Sequence, residues 1–344
     1  MNVKQAVFGN LSDGKIVNQF TISNDTMSFS VIEYGAIITS ICVPDKKGKI
    51  SDIALGFDTL DDYVNRNDKY FGAIVGRFAN RIKDGSFTLN KRTYQLDKND
   101  NGNCLHGGKN GYDRMFWQGQ VVKTKEGTGV KFIRKSENGE QGFPGNLSIE
   151  IEYILSENNE IIMNYSAKTD KDTPVNLTNH TYFNLQGNGS GSIKNHLLFL
   201  DSEKYLTVDN LLIPDGKIVS VSDNAFDFRK EKEIGKDIMS IPGGGYDHCY
   251  VLSGSLDKCS ARVYEAKSGR MMEMFTNQPG VQFYSGNFLG GIKGKNNKKY
   301  NTHDGFCLET QQFPDAPNQP AFPDCIITSE KPYSAKTIYK FSIR

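Results

Sequence analysis

The stretch 177–185, with the sequence Leu-Thr-Asn-His-Thr-Tyr-Phe-Asn-Leu, carries the densest set of side chains that could do chemistry in this chain. Read with the two-residue period of a β-strand, it places His180 and Tyr182 on one face, together with Thr178 and Asn184. Such a row of imidazole, hydroxyl and amide groups suits a small polyhydroxylated ligand. Histidine titrates nearest to neutral pH, and the chain has only five. From this stretch alone, two interpretations are equally good: His180 transfers protons, or it is a buried histidine that bonds to a neighbouring partner.

A carboxylate in the middle of an apolar strand is the second candidate. In the segment 305–311, alternation places Glu309 and Cys307 on the face opposite Phe306 and Leu308. Because burying an unpaired carboxylate is costly, such a residue is usually paired or functional. With modest tuning of their pKa values, a glutamate and a histidine can act as base and acid near neutral pH.

The other polar candidates come from glycine-rich loops and strand ends. Arg77 and Arg81 lie four residues apart, which fits either a solvated surface pair or one guanidinium that binds ligand oxygens. His106 precedes two glycines, which leave an open backbone around it. Asp247 follows a glycine loop at a predicted strand start, and Gln282 alternates with apolar neighbours. These groups suit proton transfer and the binding of hydroxyl groups.

Other chemistries are disfavoured by motifs that the sequence lacks. It contains no HExxH, no cysteine and histidine cluster with metal-ligand spacing, no P-loop, no GxGxxG after a strand and no GxSxG elbow. The glycines at 243–245 precede neither GK[ST] nor a predicted helix, so they are not a phosphate loop. We therefore expect neither a metal nor another cofactor.

Composition and charge exclude further classes of protein. Lys plus Arg is 41 and Asp plus Glu is 40, so the net charge of +1 gives no sign of binding to nucleic acid or an anionic membrane. No apolar run approaches the ~18 residues of a membrane span, and the N-terminus has no apolar core of signal-peptide length. The six cysteines lack CxxC spacing and read as reduced thiols. We expect a cytoplasmic monomer or weak dimer that binds a small molecule, without nucleic-acid or membrane partners.

Short alternating segments joined by turns dominate the chain and must position these side chains. Frequent glycine (34) and aromatic residues favour strands over helices. The alternation predicts the following strands and hairpins: 88–96, 147–155, 161–167, 262–276 and 334–343.

Helical signals are confined to single turns. A cap pattern predicts one turn at 58–63, and the mixed charges of 228–238 predict a solvated helical turn. The basic loop 290–299 is expected to be solvated surface. Since no linker, repeat or composition break divides the chain, we predict one all-β domain over residues 1–344, a large β-sandwich or barrel.

Seven short motifs occur in order along the chain: GRFANRI at 76–82, LHGG at 105–108, GFPG at 142–145, LTNHTYFNL at 177–185, YDH at 246–248, QPGVQFY at 278–284 and FCLETQ at 306–311. Their content and order resemble the aldose 1-epimerases (galactose mutarotases), and the resemblance covers nearly the whole chain. One such motif alone would be weak, whereas all seven in order with similar gaps are specific.

The resemblance implies a large antiparallel β-sandwich with a cleft on one face, and interconversion of the α and β anomers of free aldohexoses such as galactose and glucose. Glu309 matches the base that removes the proton from the C1 hydroxyl, and His180 matches the acid that protonates the ring oxygen. The ring opens, the C1–C2 bond rotates, and closure on the other face gives the other anomer. Arg77 matches the motif but not a ligand-contacting position. The residues matching substrate-binding positions are Asn80, Arg81, His106, Asp247 and Gln282, with Tyr182 on the same face as His180.

Three other functions remain open on the sequence. An epimerase for phosphorylated hexoses would need extra cations at the cleft rim, and Lys293 or Lys295 could serve. A glycoside hydrolase would use Asp247 and Glu309 as paired carboxylates, but leaves the histidines without a role. A non-catalytic sugar-binding module gives no reason for an acid and a histidine to face one pocket.

Overall fold

The structure is a computed structural model that describes all 344 residues, and β-strands account for most of its regular structure. In chain order the strands are β1 (Asn2–Asn10), β2 (Ile16–Ser23), β3 (Ser28–Ile32), β4 (Ile38–Pro44), β5 (Ile50–Asp52), β6 (Ile74–Val75), β7 (Arg81–Ile82), β8 (Ser86–Leu89), β9 (Arg92–Gln95), β10 (Cys104–Leu105), β11 (Gln118–Lys123), β12 (Thr128–Ser136), β13 (Leu147–Leu155), β14 (Glu160–Thr169), β15 (Thr173–Pro174), β16 (Thr178–Asn179), β17 (Leu197–Leu200), β18 (Lys204–Val208), β19 (Pro214–Ser220), β20 (Lys232–Glu233), β21 (Asp247–Val251), β22 (Ala261–Tyr264), β23 (Arg270–Thr276), β24 (Gly280–Tyr284), β25 (Ile292–Lys293), β26 (Lys299–Tyr300), β27 (Cys307–Gln311), β28 (Ile326–Ile327) and β29 (Tyr333–Ile343).

Helical structure is limited to one short α-helix and isolated 3₁₀ turns. The helix α1 (Leu60–Arg66) begins after Thr59, whose hydroxyl accepts a hydrogen bond from the Asp62 amide, as the predicted cap requires. No helix in the structure has the length and apolarity that crossing a membrane requires. The 3₁₀ turns are Lys83–Gly85, Tyr112–Arg114, Glu140–Gly142, Ile193–Asn195, Ile238–Ser240, Pro242–Gly244, Lys295–Asn297 and Ala316–Asn318.

Three larger antiparallel sheets form the body of the fold. A nine-stranded sheet has the order β11-β12-β13-β14-β29-β23-β22-β17-β20, and one five-stranded sheet runs from β1 to β5 in sequence order. A second five-stranded sheet has the order β19-β18-β21-β24-β27. The predicted all-β antiparallel β-sandwich with short helical turns is confirmed.

Apolar side chains from all three larger sheets meet in one core of 53 buried residues. The nine-stranded sheet contributes alternate residues of β13 and β14, as the two-residue period predicts. Phe29 comes from the N-terminal sheet, and Val281 and Leu308 come from β24 and β27. One face of the β21-β24-β27 ribbon is therefore anchored in the core, and its opposite face is left for polar side chains.

The stretch 177–185 is not the continuous strand that its alternation predicts. Only Thr178–Asn179 forms a ladder, with β6. Beyond it the chain stays extended but changes partners, because the His180 amide donates to the Ala73 carbonyl and Phe183 exchanges backbone hydrogen bonds with Phe306. Both faces of the stretch are largely shielded from solvent, because it passes between other segments, and of its side chains only His180 and Tyr182 line a cleft.

The mixed-charge segment 228–238 is not a solvated helical turn. Phe228 is buried in the core, and Lys232–Glu233 forms the edge strand β20 of the nine-stranded sheet. Pairing with β17 gives this segment backbone partners that an isolated helical turn would lack.

The loop 290–299 is also less solvated than its composition suggests. Lys295 is buried, and its Nζ lies 2.7 Å from Asp52 Oδ2 and donates to the Ala54 carbonyl oxygen. A buried ammonium needs such a partner, because an unpaired charge away from water is costly.

Arg77 is a buried structural cation. It is neither part of a solvated surface pair nor a guanidinium that binds ligand oxygens. Its guanidinium donates to the carbonyl oxygens of Pro144 at 2.6 Å and Gly145 at 3.1 Å, and to the hydroxyls of Thr173 and Ser136. It therefore fastens the loop 142–145 and β12 to the backbone that leads into β7.

We expect Arg77→Lys to lower the free energy of unfolding by ~2–4 kcal/mol, because one ammonium cannot reach the separated acceptors and leaves buried oxygens unpaired. Urea denaturation followed by circular dichroism measures the change. Arg92→Lys is the matched control, since Arg92 is exposed and makes only a cation–π contact with Tyr94. Equal stability losses for the two variants would contradict the structural role of Arg77.

Candidate active site

Three neighbouring strands present polar side chains on one face. In the ladders that join β24 to β21 and β27, Asp247 lies opposite Tyr284 and Gln282 lies opposite Glu309. Because strand side chains alternate, these residues share a face, while Phe283 points into the core on the other. The sheet thus brings together an acid, an amide and a second acid that are far apart in sequence.

The backbone around His180 is fastened on both sides. Its amide donates to the Ala73 carbonyl at 2.8 Å, and its carbonyl accepts from the Gly72 amide at 3.0 Å. The side-chain amide of Asn179 donates to the Gly72 carbonyl at 2.8 Å. These bonds hold the imidazole of His180 against β27.

Two loops with strained backbones supply the opposite wall. Asn80 and His106 have left-handed φ angles of 62° and 53°, a conformation that L residues avoid and that clusters at functional sites. The Asn80 amide donates to His106 Nδ1 at 3.1 Å, and the His106 amide donates to the Asn80 carbonyl at 3.0 Å. Only glycine fits after His106, because a Cβ on Gly107 would lie 2.0 Å from the Gly76 carbonyl oxygen.

These elements surround an open cleft of about 510 Å³. Gln282 is the one predicted site residue that does not line it; it lies behind Asp247 and donates its Nε2–H to Asp247 Oδ1 at 2.6 Å. The predicted residues that line the cleft are Asn80, Arg81, His106, His180, Tyr182, Asp247 and Glu309.

His180 and Glu309 face each other at the base of the cleft. Nε2 of His180 lies 3.6 Å from Oε1 of Glu309, and both side chains are buried, with 6% and 4% exposure. The second carboxylate oxygen, Oε2, has no hydrogen-bond partner in the protein. Buried polar atoms are nearly always satisfied, so this oxygen is available to a ligand in the cleft.

Burial sets the protonation of this pair. It lowers the pKa of His180 to about 4. Burial, together with the nearby charge of Asp247, raises the pKa of Glu309 well above its ordinary value, and Arg81 opposes this only in part. Burial thus disfavours the charged form of each group and favours a pair that holds one proton, and such a pair can both accept and donate a proton.

His106 is a neutral hydrogen-bond donor. Because its Nδ1 accepts from the Asn80 amide, its proton lies on Nε2. Burial, reinforced by neighbouring His180, lowers the pKa of His106 well below its ordinary value. The Nε2–H group is thus free to donate to a ligand oxygen.

The Nε2–H tautomer of His106 also affects whether this site can bind a metal ion. Donor atoms of His106, His180 and Glu309 lie within 4.8 Å of one another, close enough to consider a metal ion. A neutral histidine ligates through a nitrogen without a proton, yet one ring nitrogen of His106 is protonated and the other is occupied by Asn80. The set fits a hydroxylated ligand better than a metal ion.

The sequence interpretation missed several cleft residues. Tyr70 and Phe288 line the cleft, as do residues 210–212 at the tip of the β18–β19 hairpin and Asp100, which pairs with Arg81 at 2.8 Å. None of them belongs to an alternating segment, so the two-residue period gave no signal. Only their aromatic or polar character within loops could have marked them.

Comparison with known proteins places this geometry in a family. The family model described as aldose 1-epimerase matches residues 18–340. Galactose mutarotase from Bos taurus is 45% identical over 346 residues, covering 100% of this chain and 99% of that protein. Aldose 1-epimerase from Escherichia coli K12 is 36% identical, covering 96% of each. The crystal structure of galactose 1-epimerase from Lactobacillus acidophilus NCFM has a TM-score of 0.87 at 27% identity and covers 99% of each chain.

Similarity over essentially the full length, together with a matching fold, shows an enzyme of the carbohydrate isomerase class. Within that class the chain belongs to the aldose 1-epimerase family. Its reaction is the interconversion of the α and β anomers of an aldose.

The dual contacts of His106 can be separated by substitution. His106→Asn keeps an acceptor for the Asn80 amide but loses the Nε2–H donor, so we expect near-normal stability and a KM for the aldose raised ~10-fold. His106→Ala leaves the Asn80 amide unpaired as well, and should also lower the free energy of unfolding by ~1–3 kcal/mol. Urea denaturation and mutarotation kinetics measure the two effects, and a KM unchanged in both variants would exclude His106 from ligand binding.

Proposed function

We propose that this enzyme interconverts the anomers of free aldohexoses, galactose and glucose among them, with Glu309 as the base and His180 as the acid. The observation that carries the proposal is the His180–Glu309 pair, 3.6 Å apart and facing a polar cleft. The two oxygens that exchange protons in mutarotation are both bonded to C1 of the sugar. A base and an acid in van der Waals contact match reacting atoms that are this close.

In the reactive arrangement the single proton of the pair resides on His180, which leaves Glu309 ionised. Glu309 removes the proton from the C1 hydroxyl as the bond between C1 and the ring oxygen breaks. The electron pair of that bond goes to the ring oxygen, which takes the proton from His180. The product is the open-chain aldehyde, and the pair still holds one proton, now on Glu309.

Rotation about the C1–C2 bond presents the other face of the aldehyde, and the reverse steps close the ring. The ring-oxygen hydroxyl returns its proton to His180 while Glu309 protonates the carbonyl oxygen. The pair ends as it began, so the cycle balances without an oxidant, a reductant or a second substrate. Each proton transfer of this kind contributes ~10²–10⁴-fold to the rate.

The remaining polar residues would orient the sugar. His106 donates through Nε2–H, and Asp247 accepts from a hydroxyl through its free oxygen. Gln282 acts through Asp247, whose other oxygen it holds at 2.6 Å. Asn80 and Arg81 contribute further donors, with the Arg81 Nε already bound to Asp100. Tyr182 lies under the imidazole of His180 at 5.0 Å between ring centroids and adds a flat apolar surface.

The lysines near the cleft are either paired with acids or lie outside it, which favours a free sugar over a phosphorylated one as the substrate. Lys295 is buried and paired with Asp52, so it is not available to a phosphate. Lys293 does not line the cleft. Lys69 does, but its Nζ lies 3.6 Å from Asp68. A dianionic phosphate would need more unpaired positive charge than this.

We also propose that residues 1–344 form a single domain that works in the cytoplasm. The shared core of 53 residues and the family match over residues 18–340 support one domain. All six cysteines are free thiols, which suits a reducing compartment. A monomer or weak dimer without nucleic-acid partners stays a prediction.

We expect Glu309→Gln and His180→Asn each to lower the mutarotation rate by at least ~10²-fold while the fold stays intact, because each removes one proton-transfer group. Polarimetry on freshly dissolved α-glucose measures the rate, and circular dichroism checks the fold. Glu273→Gln is the control, since this glutamate lies on β23 outside the cleft. A near-normal rate in either variant would contradict the role assigned to that residue.

The same assay, run side by side on galactose, glucose, xylose and glucose 6-phosphate, tests the substrate class. The paired state of the nearby lysines leads us to expect the free hexoses to be turned over faster than the phosphate. A preference for glucose 6-phosphate would overturn the free-sugar assignment and leave the acid–base assignment standing.

The one-proton pair predicts a bell-shaped dependence of kcat/KM on pH. On the acid side the rate falls as the pair takes a second proton near pH 4, and on the alkaline side it falls as the raised pKa of Glu309 is passed. Asp247→Asn removes the charge that helps to raise the pKa of Glu309, so we expect the alkaline limb to move to lower pH. Rate measurements across pH on Asp247→Asn, with exposed Asp61→Asn as control, test this. An alkaline limb that is unmoved or moves upward contradicts it.

A further inference from the structure

The imidazole of His180 is stacked by two tyrosines that do not stack on each other. The ring of Tyr182 lies 5.0 Å from it at an interplanar angle of 30°, and the ring of Tyr70 lies 5.8 Å from it at 29°. Tyr70 also contacts the edge of His106 at 4.6 Å. The acid proposed for the reaction is thus flanked by two aromatic faces.

Tyr70 is held in this position by its backbone. Its φ of 60° is left-handed, a conformation that L residues avoid unless their surroundings impose it. The Tyr70 amide donates to the Asn67 carbonyl at 3.2 Å, and its carbonyl accepts from the Ala73 amide at 3.0 Å. The buried Asn67 side chain in turn accepts from the Phe71 amide at 2.7 Å. The turn after α1 therefore delivers the Tyr70 ring into the cleft.

The surroundings of His180 otherwise disfavour its protonated form. Burial removes water, and the only carboxylate in contact with it is its reaction partner, Glu309. On Nδ1 the imidazole meets the thiol of Cys307 at 3.5 Å, a weak partner. The titratable groups that face it are Glu309, Cys307, His106, Tyr70, Tyr182 and Tyr284.

Aromatic faces are electron-rich and attract a cation above them, more strongly where water is excluded. A tyrosine face stabilises an imidazolium without adding a formal charge, so it leaves the one-proton count of the pair unchanged. It therefore favours the arrangement with the proton on His180 and Glu309 ionised.

We propose that Tyr70 is a positioning residue for the acid, whose ring orients the His180 imidazole and stabilises its protonated form during ring opening. This inference rests on the proposed role of His180. The contact that carries this role is the stacking of Tyr70 on the His180 imidazole, so we expect its effect in kcat. Its hydroxyl is not needed for this role, because the ring makes the contact with His180.

Three substitutions separate the ring from the hydroxyl. Tyr70→Leu and Tyr70→Met remove the aromatic face, and we expect kcat to fall ~3- to 30-fold with KM within about threefold. The acid limb of the pH–rate profile should move to lower pH in both, because the imidazolium loses a stabilising contact. Tyr70→Phe keeps the face and should retain kcat within about threefold. Tyr94→Leu is the control, because Tyr94 stacks on Phe87 outside the cleft.

The inference is overturned if the non-aromatic variants fold and keep the kcat and acid limb of the wild type, or if Tyr70→Phe is as impaired as they are. The double variant Tyr70→Leu/His180→Asn keeps this separate from the proposed function. If Tyr70 acts through His180, its loss costs nothing further in the His180→Asn background, whereas a full additional loss refutes the inference. Near-normal activity of His180→Asn alone refutes the proposed acid.

Discussion

The contact between Glu309 and His180 constrains the rest of this structure. Each group is buried, and ionising either one alone away from water is costly, so their contact favours a pair that shares one proton. That contact requires β27 to lie beside an irregular segment that belongs to none of the larger sheets. The paired backbone bonds between Phe183 and Phe306, 2.7 and 3.0 Å long, join the two at the point where β27 begins.

Neighbouring residues of the segment 76–82 have different structural roles at the cleft. Arg77 is buried and bonds to backbone carbonyls of the loop 142–145, whereas Arg81 lines the cleft and pairs with Asp100. Between them Asn80 adopts the left-handed conformation that presents its amide to His106. A guanidinium that never meets the ligand thus helps to fix the loop geometry on which the ligand-facing groups depend.

Sequence patterns predict this site well where the backbone is extended. Alternation correctly grouped Glu309 with Cys307, which both contact the His180 imidazole. It also correctly grouped His180 with Tyr182, because an extended chain alternates its side chains even where it forms no ladder. Alternation failed for Asn184, whose side chain binds backbone carbonyls and does not line the cleft. The basic composition of the loop 290–299 was equally misleading for Lys295, which is buried and paired with Asp52. Those outcomes depend on partners that are distant in sequence, and no local period encodes them.

Excluding water strengthens every hydrogen bond to a bound sugar but penalises the imidazolium that the proposed mechanism needs. A second carboxylate beside His180 would relieve this penalty, yet it would add a charge and trap the proton on the imidazole in every state. Tyrosine faces avoid that outcome, because they favour the cation only moderately and do not titrate near neutral pH. With Tyr70 and Tyr182 against the ring, the proton can move between His180 and Glu309 in both directions. The proposed anomerisation needs this symmetry, since in it each group acts as acid in one half of the cycle and as base in the other.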